Sequence, residues 1–164
     1  MKAKYIYISL AIIAIAALAI FFYNKYNVAP TIDISKIEVV DQDTNLFDIK
    51  SLKGKKVIVS FYASWCPNCI TELKEINSIK STKLSDVTVL CVTDESIEKM
   101  VDFKNTTQYP FTFVTLTSNF NAFGIFSIPT TYLLNTKGEV VYDNVGYIEW
   151  TDESTLEHLK SLMQ

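Results

Sequence analysis

An α/β domain with a mixed sheet, carried behind one apolar N-terminal helix, is what this sequence predicts, and three observations predict it. A strand, an amphipathic helix and a second strand follow one another between residues 57 and 92; two extended runs meet at a short polar link between residues 130 and 142; and Tyr5 to Tyr23 carries no charge.

The charge-free stretch YIYISLAIIAIAALAIFFY is long enough to span a bilayer, because about 20 apolar residues in a helix cross the hydrocarbon core. Lys2, Lys4 and the terminal amine precede it and only Lys25 closely follows, so the positive-inside bias favours a cytoplasmic N-terminus. Tyrosines at both ends suit the interfaces. A cleaved signal peptide is the competing reading: Ala17-Leu18-Ala19 has a cleavage-site pattern, whereas the bulky Ile20-Phe21-Phe22-Tyr23 argues for a retained anchor. On either reading the domain leaves the cytoplasm. Residues 1–24 read as anchor, 25–34 as a tether containing Pro30, and 35–164 as the folded unit.

Val57 to Ala63 is nearly all apolar, β-branched or aromatic, follows the turn signal Lys53-Gly54-Lys55-Lys56, and reads as a central strand buried on both faces. After Pro67 the stripe Ile70, Leu73, Ile76 and Ile79 predicts a helix ending near Ser81, and Val87 to Val92 predicts the next strand. Strand, helix and strand make a right-handed crossover between parallel strands. Ser96–Asn105 reads as a helix and Phe111–Leu116 as a strand. Thr130–Leu134 and Glu139–Tyr142 flank Asn135-Thr136-Lys137-Gly138, which predicts an antiparallel hairpin. A final helix starts near Asp152 and aligns Leu156, Leu159, Leu162 and Met163.

Composition excludes one large class. The chain has no arginine and no basic cluster longer than Lys53–Lys56, and residues 33–164 carry 18 acids against 12 lysines, so nucleic acid is not an expected partner. Three cysteines in 164 residues do not make a disulfide-stapled scaffold, and each is judged by its position.

The informative segment is Phe61-Tyr62-Ala63-Ser64-Trp65-Cys66-Pro67-Asn68-Cys69, a strand running straight into a Cys-x-x-Cys pair at the first turn of a helix. Free N–H groups and the helix dipole there favour negative charge, so Cys66 is expected to have a lowered pKa and to act as nucleophile. Pro67 suits the first helical position, where its missing N–H has no partner. Cys69, one turn later, can attack a mixed disulfide on Cys66 and release the substrate. Half of a zinc site is the alternative for such a pair, but only Cys91 and His158 remain to complete tetrahedral coordination, so no metal is expected. Cys91, within an apolar strand, reads as a small buried hydrophobe, and His158 as solvated.

Ala63-Ser64-Trp65-Cys66-Pro67-Asn68-Cys69 resembles the active site of thioredoxin-fold proteins, and more narrowly of the TlpA/ResA-like membrane-anchored thiol–disulfide oxidoreductases. Leu52-Lys53-Gly54-Lys55-Lys56-Val57 is similar to that group's lead-in to its first core strand, and Ile128-Pro129-Thr130 to its cis-proline loop. The resemblance covers roughly residues 36–164. It implies a three-layer thioredoxin-like α/β/α fold, a redox-active Cys66–Cys69 disulfide with no further cofactor, and a loop at Ile128 and Pro129 that receives the substrate backbone. It also implies protein disulfide or dithiol substrates, a membrane electron donor, and a single-pass protein of a bacterial membrane with its domain on the extracytoplasmic side. Glu72 lies on roughly the same helical side as both cysteines, where the group often carries a glutamate; it reads either as a proton shuttle or as a solvated acid near a helix N-terminus. Trp65 reads either as a partner-contacting aromatic beside Cys66 or as a packed rim residue. Ser60 departs from thioredoxin, which has a buried aspartate there. The leading expectation is a reductase of exported proteins; a copper chaperone of similar fold is the runner-up, followed by a peroxidase and by a binding module with a structural disulfide.

Overall fold

A computed structural model describes residues 2–164. In chain order it contains α1 (Lys2–Asn27), β1 (Val39–Val40), β2 (Lys56–Phe61), α2 (Pro67–Lys80), β3 (Val87–Thr93), α3 (Ile97–Thr107), β4 (Thr112–Leu116), β5 (Thr130–Leu134), β6 (Val140–Val145) and α4 (Glu153–Leu162). Short 3-10 turns lie at Ile34–Lys36, Ile49–Leu52 and Phe120–Phe123.

The strands form one sheet in the order β1-β4-β3-β2-β5-β6. β2 pairs parallel with β3 and antiparallel with β5, so it is central, and its residues from Val57 to Phe61 are buried as a strand covered on both faces should be. The run at 130–134 folds back on 140–145 as the predicted hairpin, with Asn135 Oδ1 accepting the N–H groups of Lys137 and Glu139 to close the link.

Two apolar clusters sit on the two faces. On one, Leu73 and Ile76 of α2, Met100 of α3 and Leu156 and Leu159 of α4 pack over Ile58, Val89 and Leu133. On the other, Ile34, Ile49, Leu52 and Phe120 cover Val59, Leu90 and Tyr132. That second layer is made of 3-10 turns and extended chain rather than of α-helix.

Three sequence expectations shift in detail. The stripe on α2 is Cys69, Glu72, Leu73, Ile76 and Ile79, and Ile70 is 37% exposed. A strict spacing of three drifts around a helix of 3.6 residues per turn, so the first member of such a series leaves the face that the later ones share. The anchor helix continues to Asn27, past the boundary expected at 24. The segment expected to be a tether is packed from Ala29 onward: Ala29 and Ile32 lie against the core, Ile34 is buried, and Pro30 O accepts from Tyr132 Oη at 2.8 Å. A few apolar residues without a period carry no signal for this docking. Tyr5–Asn27 is long and apolar enough to cross a membrane, and its large apolar side chains are exposed.

Candidate functional site

The site forms where β2 ends and α2 begins. Cys66 is the N-cap of α2, with extended backbone angles and a sulfur that accepts the N–H of Cys69 at 3.2 Å. Pro67 follows at the first helical position, where no N–H is needed. Cys66 and Cys69 are joined by a disulfide, with their Cα atoms 5.3 Å apart. Cys66 keeps 5% of its surface in solvent and Cys69 none, so an incoming thiolate has a path only to the first sulfur.

Opposite the pair, the Ile128–Pro129 bond is cis, the geometry implied by the resemblance of that loop. The Ile128 carbonyl oxygen lies 3.9 Å from Cys66 Sγ, and Pro129 O accepts from Gly146 N at 2.8 Å, which ties the loop to the segment after β6. Trp65, Cys66, Pro67, Asn68, Phe126, Ser127 and Ile128 line a cleft of about 490 Å³ over the disulfide. Trp65 is 70% exposed, which removes the reading as a packed rim residue; Pro67 is exposed, Ile128 half-buried and Pro129 buried.

Glu72 is fully buried, so it is not the solvated acid that its place in the early helix allowed. Its Oε1 accepts from Thr131 Oγ1 at 2.8 Å and its Oε2 from Ile148 N at 2.9 Å. Burial pushes its carboxyl up to about 7; the hydrogen bonds from Ile148 and Thr131 oppose the rise, and the nearby charge of Glu75 adds to it. A carboxyl that titrates near neutrality one turn from Cys69 is suited to taking and giving a proton.

Ser60 is buried in β2, in register with Cys91 on one side and Thr131 on the other. The strand therefore supplies no acid beneath the pair, whereas Glu72 of α2 is bonded to Thr131, the β5 residue in register with Ser60. Burial pushes the Cys91 thiol well above its usual range, as befits a core residue, and His158 is exposed on α4. Among the described residues no three His, Cys, Asp or Glu side chains gather as a metal would need.

Three supporting residues escaped the sequence reading. Thr131 holds Glu72 and was hidden in an apolar run. Glu95, just beyond β3, accepts from both Ser64 N and Ser64 Oγ and thereby fixes the loop before Cys66; an isolated acid after a strand gives no hint of this. Phe126 forms one wall of the cleft, and its position three residues before Pro129 was the available signal.

Residues 27–160 match the Redoxin family. The chain is 35% identical over 114 residues to the sporulation thiol-disulfide oxidoreductase A of Bacillus subtilis, across 62% of this chain and 69% of that protein. It is 26% identical over 148 residues to the thiol-disulfide oxidoreductase ResA of Bacillus anthracis, across 87% and 83%. The crystal structure of StoA from Bacillus subtilis superposes with a TM-score of 0.58 at 26% identity, covering 81% of this chain and all of that one.

Proposed function

This chain belongs to the Redoxin family and is a thiol–disulfide oxidoreductase, and we propose that it works as a membrane-anchored reductase of exported proteins, with Cys66 and Cys69 as the reacting pair. The observation that carries the reading is the asymmetry of the pair: a Cys66 at a helix N-terminus that keeps a sliver of surface in solvent, a sealed Cys69 behind it, and a buried, neutral-range carboxyl one helical turn beyond the sealed thiol.

In the reduced protein the Cys66 thiolate, stabilised by the free N–H groups of the first turn of α2, attacks one sulfur of a substrate disulfide. The other substrate sulfur leaves and takes a proton. Cys69 gives its proton to Glu72 and attacks the Cys66 sulfur, which breaks the mixed disulfide and releases the substrate dithiol. Two electrons pass to the substrate and the Cys66–Cys69 disulfide remains. Pro67 and Trp65 on one wall, and Ile128 and cis-Pro129 on the other, hold the substrate chain in the cleft. A membrane protein returns the electrons. α1 is the anchor in a bacterial membrane, with the domain on the extracytoplasmic side, and proteins whose cysteines await haem or copper are a substrate class that needs such a reductase.

The reduction potential of the pair in the detergent-solubilised full chain, equilibrated against thiol buffers, tests the direction. A value near about −270 mV or below is expected; one near about −120 mV would make the protein a disulfide donor instead.

A further inference from the structure

Two carboxylates one helical turn apart on α2 hold the same short segment of chain. Glu72 Oε2 accepts from Ile148 N at 2.9 Å, and Glu75 Oε2 accepts from Trp150 N at 3.0 Å. The other oxygen of Glu75 accepts the hydroxyl of Tyr147. Ile148 and Trp150 are buried, whereas Tyr147 keeps 40% of its surface in solvent and Glu75 is half-buried. Glu75 therefore stands at the solvent edge of the segment that closes over Glu72. That segment begins at Gly146, whose N–H binds Pro129 O at 2.8 Å, so it runs from the loop that faces Cys66 to the helix that carries both acids.

Residues three apart on a helix have Cβ atoms about 5–6 Å apart, near enough for one carboxylate to act on the other. The titratable groups around Glu72 are Cys69 and Glu75, three residues to either side on α2, Cys91 of β3, Tyr142 of β6, and Tyr147 beyond it. Burial pushes the Cys91 thiol and the Tyr142 phenol up, and the hydrogen bond to Glu75 takes Tyr147 up to about 12, so these three stay neutral through the working range. Glu75 is the neighbour that brings a negative charge. The charge matters for proton transfer, because a free thiol titrates near about 8.5 and a free carboxyl near about 4.3. A proton passing from thiol to carboxylate crosses that gap uphill, and a negative neighbour narrows it.

Resting on the reading of Glu72 as the group that takes the Cys69 proton, we infer that Glu75 is a positioning residue of the exchange reaction: its charge acts on Glu72 in that step, and its two oxygens hold closed the segment that seals Glu72 and braces the cis-proline loop. The charge and the clip are separable by substitution. In Glu75→Gln the amide oxygen still accepts Trp150 N and the amide N–H donates to the Tyr147 hydroxyl, so only the charge goes. In Glu75→Ala both go.

The test uses the full chain in detergent. The protonated Glu72 carboxyl is followed against pH in the oxidised protein by its infrared C=O band, isolated as the difference from a matched Glu72→Gln protein, and release of a peptide from its mixed disulfide on Cys66 is timed at pH 7. Glu75→Gln should lower the pH midpoint of Glu72 by about 0.5–1 unit and slow release at least threefold, with KM for the peptide disulfide unchanged. Glu75→Asp should return the midpoint towards the wild-type value. Glu75→Ala should add a rise in KM of at least threefold, because the brace on the Pro129 loop is lost. A midpoint and a release rate that stay put in Glu75→Gln overturn the inference whatever Glu75→Ala loses in stability, since the acid would then be a structural clip alone. A wild-type midpoint for Glu72 in the ordinary carboxyl range, or a release rate indifferent to Glu72→Gln, overturns instead the proton role on which the inference rests, while exchange by Cys66 and Cys69 stands.

Discussion

Glu72 is the residue on which proton handling at this site turns, and its burial makes it measurable. Its folded carboxyl titrates at about 7, against 4.5 for the free side chain. Between those values the folded protein holds a proton that the unfolded chain has released, so this contribution to stability is whole below about 4.5 and fades as the pH rises through about 7. The shift corresponds to ~3 kcal/mol at most. Urea unfolding of the oxidised wild type and of Glu72→Gln at pH 5 and pH 8.5 should show the wild type losing ground to the variant at the alkaline end; a gap that stays constant with pH would refute the assignment. Thr131→Ala removes one bond that favours the charged form and should raise the pH midpoint of Cys69-dependent turnover. At the cysteines, Cys69→Ser should trap a mixed disulfide with substrate, seen as a thiol-sensitive band on a non-reducing gel. Cys66→Ser should trap none, and equal residual turnover in the two would sink the division of roles.

At the scale of elements, the site depends on how tightly the loop between β2 and α2 is held. Glu95 reaches across from the end of β3 to satisfy Ser64 N and Ser64 Oγ, and it is itself largely buried. Glu95→Ala leaves a half-buried donor without a partner and is expected to cost about 1–3 kcal/mol in urea denaturation, together with slower exchange. An unchanged exchange rate would show that the strand and helix alone position Cys66. α2 itself was legible from Pro67 and the Cys-x-x-Cys spacing, and α4 from Asp152, whose carboxylate does accept Thr155 N at 2.8 Å. β1 and the 3-10 turns were not legible, because two paired residues or a single turn are too short for a period to show.

For the whole molecule, the decisive feature is where the folded unit begins. The sequence placed a tether at 25–34, whereas the structure puts Ile34 at 2% exposure in the core and docks the chain from Ala29. Ile34→Ala should therefore cost about 2–5 kcal/mol of domain stability, as for a core position, where a tether residue would cost close to nothing. Thermal unfolding of the two forms in detergent distinguishes these values. The docked joint also decides how far the active face can swing from the anchor, which a free ten-residue tether would have left open.

Much of this protein was written in short range. The strand-to-helix Cys-x-x-Cys junction, the hairpin at 130–145 and the apolar N-terminal helix each rest on periodicity, turn residues or charge within one contiguous stretch of chain, and such signals survive in a linear chain. What joins distant residues was decided only by the tertiary structure: Glu72 sealed between Thr131 and Ile148, Glu95 clamping Ser64, Phe126 meeting Tyr26. Those contacts follow from strand order and register, which set β5 rather than another strand beside β2. An isolated acid or aromatic has no period of its own, so its partner is fixed only when packing the two apolar faces brings the elements together.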